Sequence, residues 1–159
     1  MLDIRPDAVL VPCGGGGLSA GIATALADRL PGIPVHPVEP AEFDDTGRSL
    51  AAGKRIANPE GRRSICDALL APTPGALTFE VNRRLLSKGL TADDRQVRRA
   101  MAAAFETLKL VVEPGGAVAL AAVLSGQIDI AGRTVVVVAS GGNVDAATFA
   151  TALHGNDDG

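Results

Sequence analysis

Residues 8–18 read Ala-Val-Leu-Val-Pro-Cys-Gly-Gly-Gly-Gly-Leu, and the break in the middle of this stretch decides the fold. Ala8–Val11 is a short apolar run after Arg5-Pro6-Asp7 and reads as a buried strand. Gly14 to Gly17 then stop all regular structure. From Leu18 the apolar residues recur at near-helical spacing through Ile22 and Ala25 to Leu30, and Pro31-Gly32 ends the predicted helix. Pro34–Val38 is a second short strand, closed by Pro40. A strand, a glycine loop, a helix and a strand in this order imply two parallel strands joined by a right-handed crossover.

The glycines carry chemistry as well as topology. Each costs conformational entropy on folding, so four in a row are not explained by a plain connector. Without side chains they let a ligand approach the backbone, and their N–H groups can converge on an anion. The positive end of the following helix adds to that attraction. The reading is therefore a phosphate site, against a simple tight turn with close helix–strand packing. A dinucleotide could supply the phosphate. Gly15, Gly17 and Ala20 fit G-x-G-x-x-A, and Glu39 ends the next strand where a ribose-binding acid would stand. This segment alone leaves both sources open.

Downstream, Asp45–Ala52 reads as a helix stopped at Gly53, and residues 54–75 as mostly loop, punctuated by Pro59, Gly61, Pro72 and Pro74. Leu77–Ser87 is predicted helical with Gly89 as its C-terminal cap. Thr91-Ala-Asp-Asp94 reads as a capping signal for a helix over Ala92–Leu108. Glu113-Pro114 opens another helix running to Ser125, with Glu113 read as its helix-start acid rather than as a residue near the ligand. Thr134–Ala139, with valines at 135–138, is predicted to be a strand buried on both faces. Ser140-Gly141-Gly142-Asn143 turns the chain into a last helix over Ala146–Leu153, and residues 154–159 read as a frayed tail. Strand ends of one kind collect at one edge of a parallel sheet, so this second glycine turn belongs beside the first. A serine hydroxyl there can meet a heterocycle nitrogen, or it can cap local backbone.

The 159 residues suit one hydrophobic core. No apolar run approaches the ~20 residues of a membrane helix, and nothing reads as a secretory leader. Cys13 and Cys66 have no metal or redox spacing and read as small buried hydrophobes, which fits a cytoplasmic setting. The net charge of -3 and the absence of Trp and Tyr argue against nucleic-acid binding, despite paired arginines at 62–63, 83–84 and 98–99. A small-molecule ligand is expected, with no membrane partner.

Val11-Pro12-Cys13-Gly14-Gly15-Gly16-Gly17-Leu18, Val38-Glu39-Pro40, Glu113-Pro114-Gly115-Gly116-Ala117 and Ser140-Gly141-Gly142-Asn143-Val144-Asp145 occur in that order. Together they resemble the C-terminal part of the pyridoxal-5′-phosphate (PLP) dependent serine/threonine dehydratases and serine racemases, of fold type II. The resemblance spans nearly the whole chain and implies a three-layer α/β fold around a parallel sheet. Residues 1–153 would form the second half of that family's larger domain. It implies that the N–H groups of Gly14, Gly15, Gly16, Gly17 and Leu18 grip the PLP phosphate, and that Ser140 bonds the pyridine nitrogen. A neutral hydroxyl there favours quick loss of a β-hydroxyl over a long-lived carbanion. It also implies a divalent-cation site from Glu39, the Phe43 carbonyl and Asp45, hard oxygen donors suited to Mg²⁺, Ca²⁺ or Mn²⁺. The plainer reading of the same residues is a strand-end acid and a helix cap.

The family's Schiff-base lysine lies in a Ser-x-Lys-x-Arg type segment of its N-terminal half, with an Asn-containing loop that holds the substrate carboxylate. Neither pattern occurs here, and Lys54, Lys88 and Lys109 read as surface lysines. The resemblance thus implies dehydration and deamination of serine or threonine by a complete, oligomeric enzyme. This chain by itself is expected to be inactive and to need the missing half or a complementing chain. Racemisation or another hydroxy-amino-acid elimination is the near alternative. A nucleotide-binding dehydrogenase fragment and a non-catalytic phosphate-binding module are the others.

Overall fold

The computed structural model describes residues 5–154; the predicted tail beyond His154 lies outside the described residues. The chain forms β1 (Ala8–Pro12), α1 (Gly17–Arg29), β2 (Val35–Pro40), α2 (Asp45–Ala52), α3 (Ala76–Leu85), β3 (Leu90–Ala92), α4 (Asp94–Ala103), α5 (Pro114–Leu124), β4 (Val135–Val137) and α6 (Ala146–His154). A 3-10 turn at Asp67–Leu69 interrupts the long loop after α2, and α4 runs into a π-helical turn at Ala104–Leu108. All pairings in the sheet are parallel and its order is β3-β2-β1-β4.

Two cores lie on opposite faces of the sheet, because successive β-strand side chains point to opposite faces. Val9 and Val11 of β1, with Val35 of β2, pack against Ala23, Ile22 and Leu26 of α1. Ala8 and Leu10, with Val38, pack on the other side with Val97 and Met101 of α4 and Val118 of α5. This is the three-layer arrangement expected. Helix α5 is apolar all round, and Pro114 to Ala119 are all buried. Its glycines and alanines let it lie close between the sheet and α4.

Three predicted elements differ from the structure. Strand β3 occupies residues read as a helix cap and helix start. It is only three residues long, too short to show a period. Helix α4 therefore starts at Asp94, and its capping box joins Asp93 to Gln96, whose backbone N–H donates to Asp93 Oδ1 at 2.8 Å. Gly89 caps no helix. It allows a close approach, since a Cβ there would stand 2.6 Å from the Gly47 Cα. The valine strand, predicted to be buried on both faces, is the sheet's edge, and Val136 is 43% exposed. Valine content reports β propensity, and burial depends on the neighbouring strand.

Candidate functional site

The strand order places the site. The chain steps from β1 to β2 to β3 in one direction, then returns to add β4 on the other side of β1. The reversal lies between β1 and β4, and parallel sheets bind ligands outside the carboxyl ends of the strands at such a switch point. The Gly14–Gly17 loop leaves β1 there, and the Ser140 turn leaves β4 there. Since Val137 pairs with Leu10 and the Val138 N–H donates to Leu10 O at 3.0 Å, both glycine segments sit at the same edge on neighbouring strands.

Within the first loop the glycines have separate reasons. Gly16 has φ +89°, and a Cβ on it would stand 2.6 Å from Asn82 Nδ2. Gly14 lies against the Asp67–Leu69 turn, where a Cβ would be 3.1 Å from the Leu69 Cα. Gly15 and Gly17 have nothing within 4 Å of a Cβ and are exposed. Among the described residues, no protein acceptor takes the N–H groups of Gly14 to Leu18.

Helix α3 sets the direction of these donors, through residues that the sequence reading did not single out. Thr78 Oγ1 donates to Gly15 O at 2.6 Å, and the Gly75 N–H donates to the same oxygen at 3.1 Å. Asn82 Nδ2 donates to Gly16 O at 3.2 Å. The N–H and C=O of one planar trans peptide point opposite ways. Tying the Gly15 and Gly16 carbonyls to α3 therefore turns the Gly16 and Gly17 N–H groups away from it. Asn82 is 1% exposed and its Oδ1 has no partner. No spacing rule links positions 78 and 82 to a loop more than 60 residues earlier.

Ser140 is exposed at the mouth of the second turn. That turn rests on the start of α5. The Glu113 N–H donates to Gly141 O at 3.0 Å, and the Asn143 N–H donates to Glu113 Oε2 at 3.0 Å. Glu113 is the N-cap residue of α5, at the helix start as read, and its carboxylate bonds the Asn143 N–H rather than an N–H of its own helix.

Glu39, Phe43 and Asp45 lie together below the loop, around the start of α2. Both Glu39 oxygens are engaged: Thr46 N–H donates to Oε1 and Gly47 N–H to Oε2, each at 2.7 Å. Asp45 Oδ1 accepts from Asn58 Nδ2 at 2.6 Å, while its Oδ2 is buried without a partner. Burial pushes the Glu39 carboxyl up to about 8, against the lowering effect of the two N–H donors. Burial also raises Asp45. Cys13 Sγ lies 3.5 Å from both Ser19 Oγ and Thr46 Oγ1, and burial followed by the Glu39 charge pushes its thiol up to about 11.

A family model described as pyridoxal-phosphate dependent enzyme matches residues 1–141. The chain belongs to that family. It is 40% identical over 148 residues to a phenylserine dehydratase of Ralstonia pickettii, covering 92% of this chain and 45% of that protein. An L-threonine ammonia-lyase of Geobacter sulfurreducens is 38% identical over 157 residues, 97% of this chain and 39% of its own length. Among solved structures, the maize serine racemase superposes with a TM-score of 0.83 at 37% identity, over 94% of this chain and 48% of that one. The chain thus spans less than half the length of these relatives. The three-layer fold with an all-parallel sheet matches the fold-type II members of the family.

The cradle's own geometry fits PLP, with free N–H donors and open space at Gly15 and Gly17. At the expected divalent-cation site both Glu39 oxygens accept α2 N–H groups, while Asp45 Oδ2 is buried without a partner. Glu39 reaches α2 from the neighbouring strand, and its two oxygens accept the first N–H groups of that helix. Among the described residues, no group of three or more His, Cys, Asp or Glu could hold a metal ion. The same engagement removes Glu39 as a ribose acceptor, and with it the acid that the dinucleotide reading needs. Lys54 and Lys88 are exposed, and Lys109 Nζ donates to Glu106 O at 2.9 Å. Among the described residues, no helix is long and apolar enough to cross a membrane.

Proposed function

We propose that this chain holds PLP for an enzyme that removes water from a β-hydroxy amino acid, serine or threonine being the reference substrates. The α-proton and β-hydroxyl leave as water, and hydrolysis of the resulting enamine gives a 2-oxo acid and ammonia. The observation that carries the reading is the placement of the Gly14–Leu18 donors and Ser140 on either side of one switch point. When bound, PLP supplies an electron sink for the bonds to the substrate's α-carbon. The N–H groups of Gly14, Gly15, Gly16, Gly17 and Leu18 would hold its phosphate. The Ser140 hydroxyl would meet the ring nitrogen without fixing a proton on it. The names of the relatives support the substrate class, since phenylserine, threonine and 3-hydroxyaspartate all carry a β-hydroxyl. Racemisation is the second reading, favoured by the similarity to serine racemases.

In this reading the Schiff-base lysine comes from polypeptide outside these 159 residues, and the chain alone binds the cofactor without turnover. The open edge of β4 and the exposed Leu110, Val111 and Val136 support a complementing partner that covers them. The test is to assay 2-oxo acid from L-serine and L-threonine with the chain alone and with the N-terminal half of a relative co-expressed. Product is expected only from the pair, and only with that half's lysine intact. Product from the isolated chain overturns the division of roles. No product from a pair that assembles and binds PLP overturns the reaction.

A further inference from the structure

We propose that Glu113 is the positioning residue of the Ser140 turn: its carboxylate holds the hydroxyl where a pyridine ring on the cradle would meet it. The inference rests on the cofactor reading and adds to it a residue that touches neither the phosphate cradle nor, by this account, the ring.

The turn has little else to hold it. Ser140, Gly142 and Asn143 are exposed, and the strand before them is the short edge strand β4. Among the described residues, the hydrogen bonds tying 140–143 to the body of the protein are two, and both end on Glu113. Its N–H donates to Gly141 O, and its Oε2 accepts from the Asn143 N–H, each at 3.0 Å. These bonds clamp the turn on both sides of Gly142.

Packing makes the clamp specific. A Cβ on Gly141 would run into Glu113 Oε1, and one on Gly142 would come within 2.6 Å of Val111 O. A Cβ on Gly116, one turn along α5, would stand 2.6 Å from Gly141 O. Three glycines thus bring the turn against the helix start so that the carboxylate can reach across. The backbone bond would survive loss of the side chain. The Asn143 bond would not, and the C-terminal arm of the turn would be released. Helix α5 is buried from Pro114 to Ala119, so Glu113 sits on a rigid support.

The experiment measures calorimetric binding of two probes to the full chain: inorganic phosphate, which reads the cradle alone, and pyridoxamine 5′-phosphate, which adds the ring. Glu113→Ala is expected to weaken pyridoxamine 5′-phosphate about tenfold, the equivalent of about 1.4 kcal/mol, and to leave phosphate unchanged. Glu113→Gln keeps an acceptor for the Asn143 N–H and should recover most of the loss. Combined with Ser140→Ala, Glu113→Ala should add little, because both act through one contact. Amide exchange at Asn143 should quicken in Glu113→Ala while the Gly14–Gly17 amides stay as they were. A parent chain that binds pyridoxamine 5′-phosphate, with a Glu113→Ala chain that binds it equally well, overturns the positioning role alone. Equal weakening of both probes overturns it too, since that marks general loosening. A parent that binds neither probe overturns the cofactor reading and this inference with it.

Discussion

Gly16→Ala separates the geometry of the cradle from its glycine content. Gly16 has φ +89°, where an alanine costs about 1–2 kcal/mol. The new Cβ would stand 2.6 Å from Asn82 Nδ2 and 3.1 Å from Thr78 Oγ1, both carried by α3. Asn82 is 1% exposed and packed, so it cannot withdraw without losing its bond to Gly16 O. A buried amide left without its partner costs about 1–3 kcal/mol. Together these effects destabilise the chain by about 3 kcal/mol, which for a protein of this size lowers Tm by roughly 6–12 °C. Gly15→Ala is the control: no atom lies within 4 Å of its Cβ, so stability should stay within about 0.5 kcal/mol. Urea unfolding followed by circular dichroism measures both. Calorimetry with pyridoxamine 5′-phosphate should show weaker binding in each, since the Gly15 Cβ enters the open space at the cradle and the Gly16 Cβ pushes the loop off α3. A Gly16→Ala chain that unfolds at the parent's urea midpoint would refute the account of how α3 holds the loop.

Thr78→Val should weaken inorganic phosphate binding while Thr78→Ser preserves it, because the hydroxyl makes the shorter of the two bonds that restrain Gly15 O. Cys13 and Cys66 are buried, and burial pushes their thiols up to about 11 and about 12. Iodoacetamide at pH 8 should therefore leave both unlabelled until the chain is unfolded, and labelling at the rate of a free peptide would contradict their placement. Glu39 titrates near 4.5 when unfolded and about 8 in the fold, so the folded state holds its proton more tightly. Its contribution to stability is then full below pH 4.5 and is lost as pH rises through about 8. Urea midpoints across that range should fall for the parent and fall less for Glu39→Gln.

The repeating α/β order and the place of the glycine loop were legible because a buried strand, four glycines and a helix leave a local mark. The same holds for Glu113-Pro114, where proline at the first helical position fixes the start of α5. What escaped has no local mark. Strand β3 is defined by pairing with β2, with Glu39 opposite Thr91, rather than by its own residues. The exposure of Val136 follows from strand order, which a run of valines does not encode. Thr78, Asn82 and Asn58 act through side chains that bridge distant segments, and a single sequence carries no sign of such pairs. Glu39 and Asp45 show the converse: the residue types suit a cation, but which oxygens face the α2 N–H groups and which stays without a partner is set by the fold.

The most direct test of the central claim is a crystal structure of this chain soaked with pyridoxamine 5′-phosphate. The account predicts the phosphate on the N–H groups of Gly14 to Leu18 and the ring nitrogen within hydrogen-bond distance of Ser140 Oγ. A phosphate bound elsewhere, or a ring directed away from Ser140 while the phosphate sits in the cradle, would contradict it.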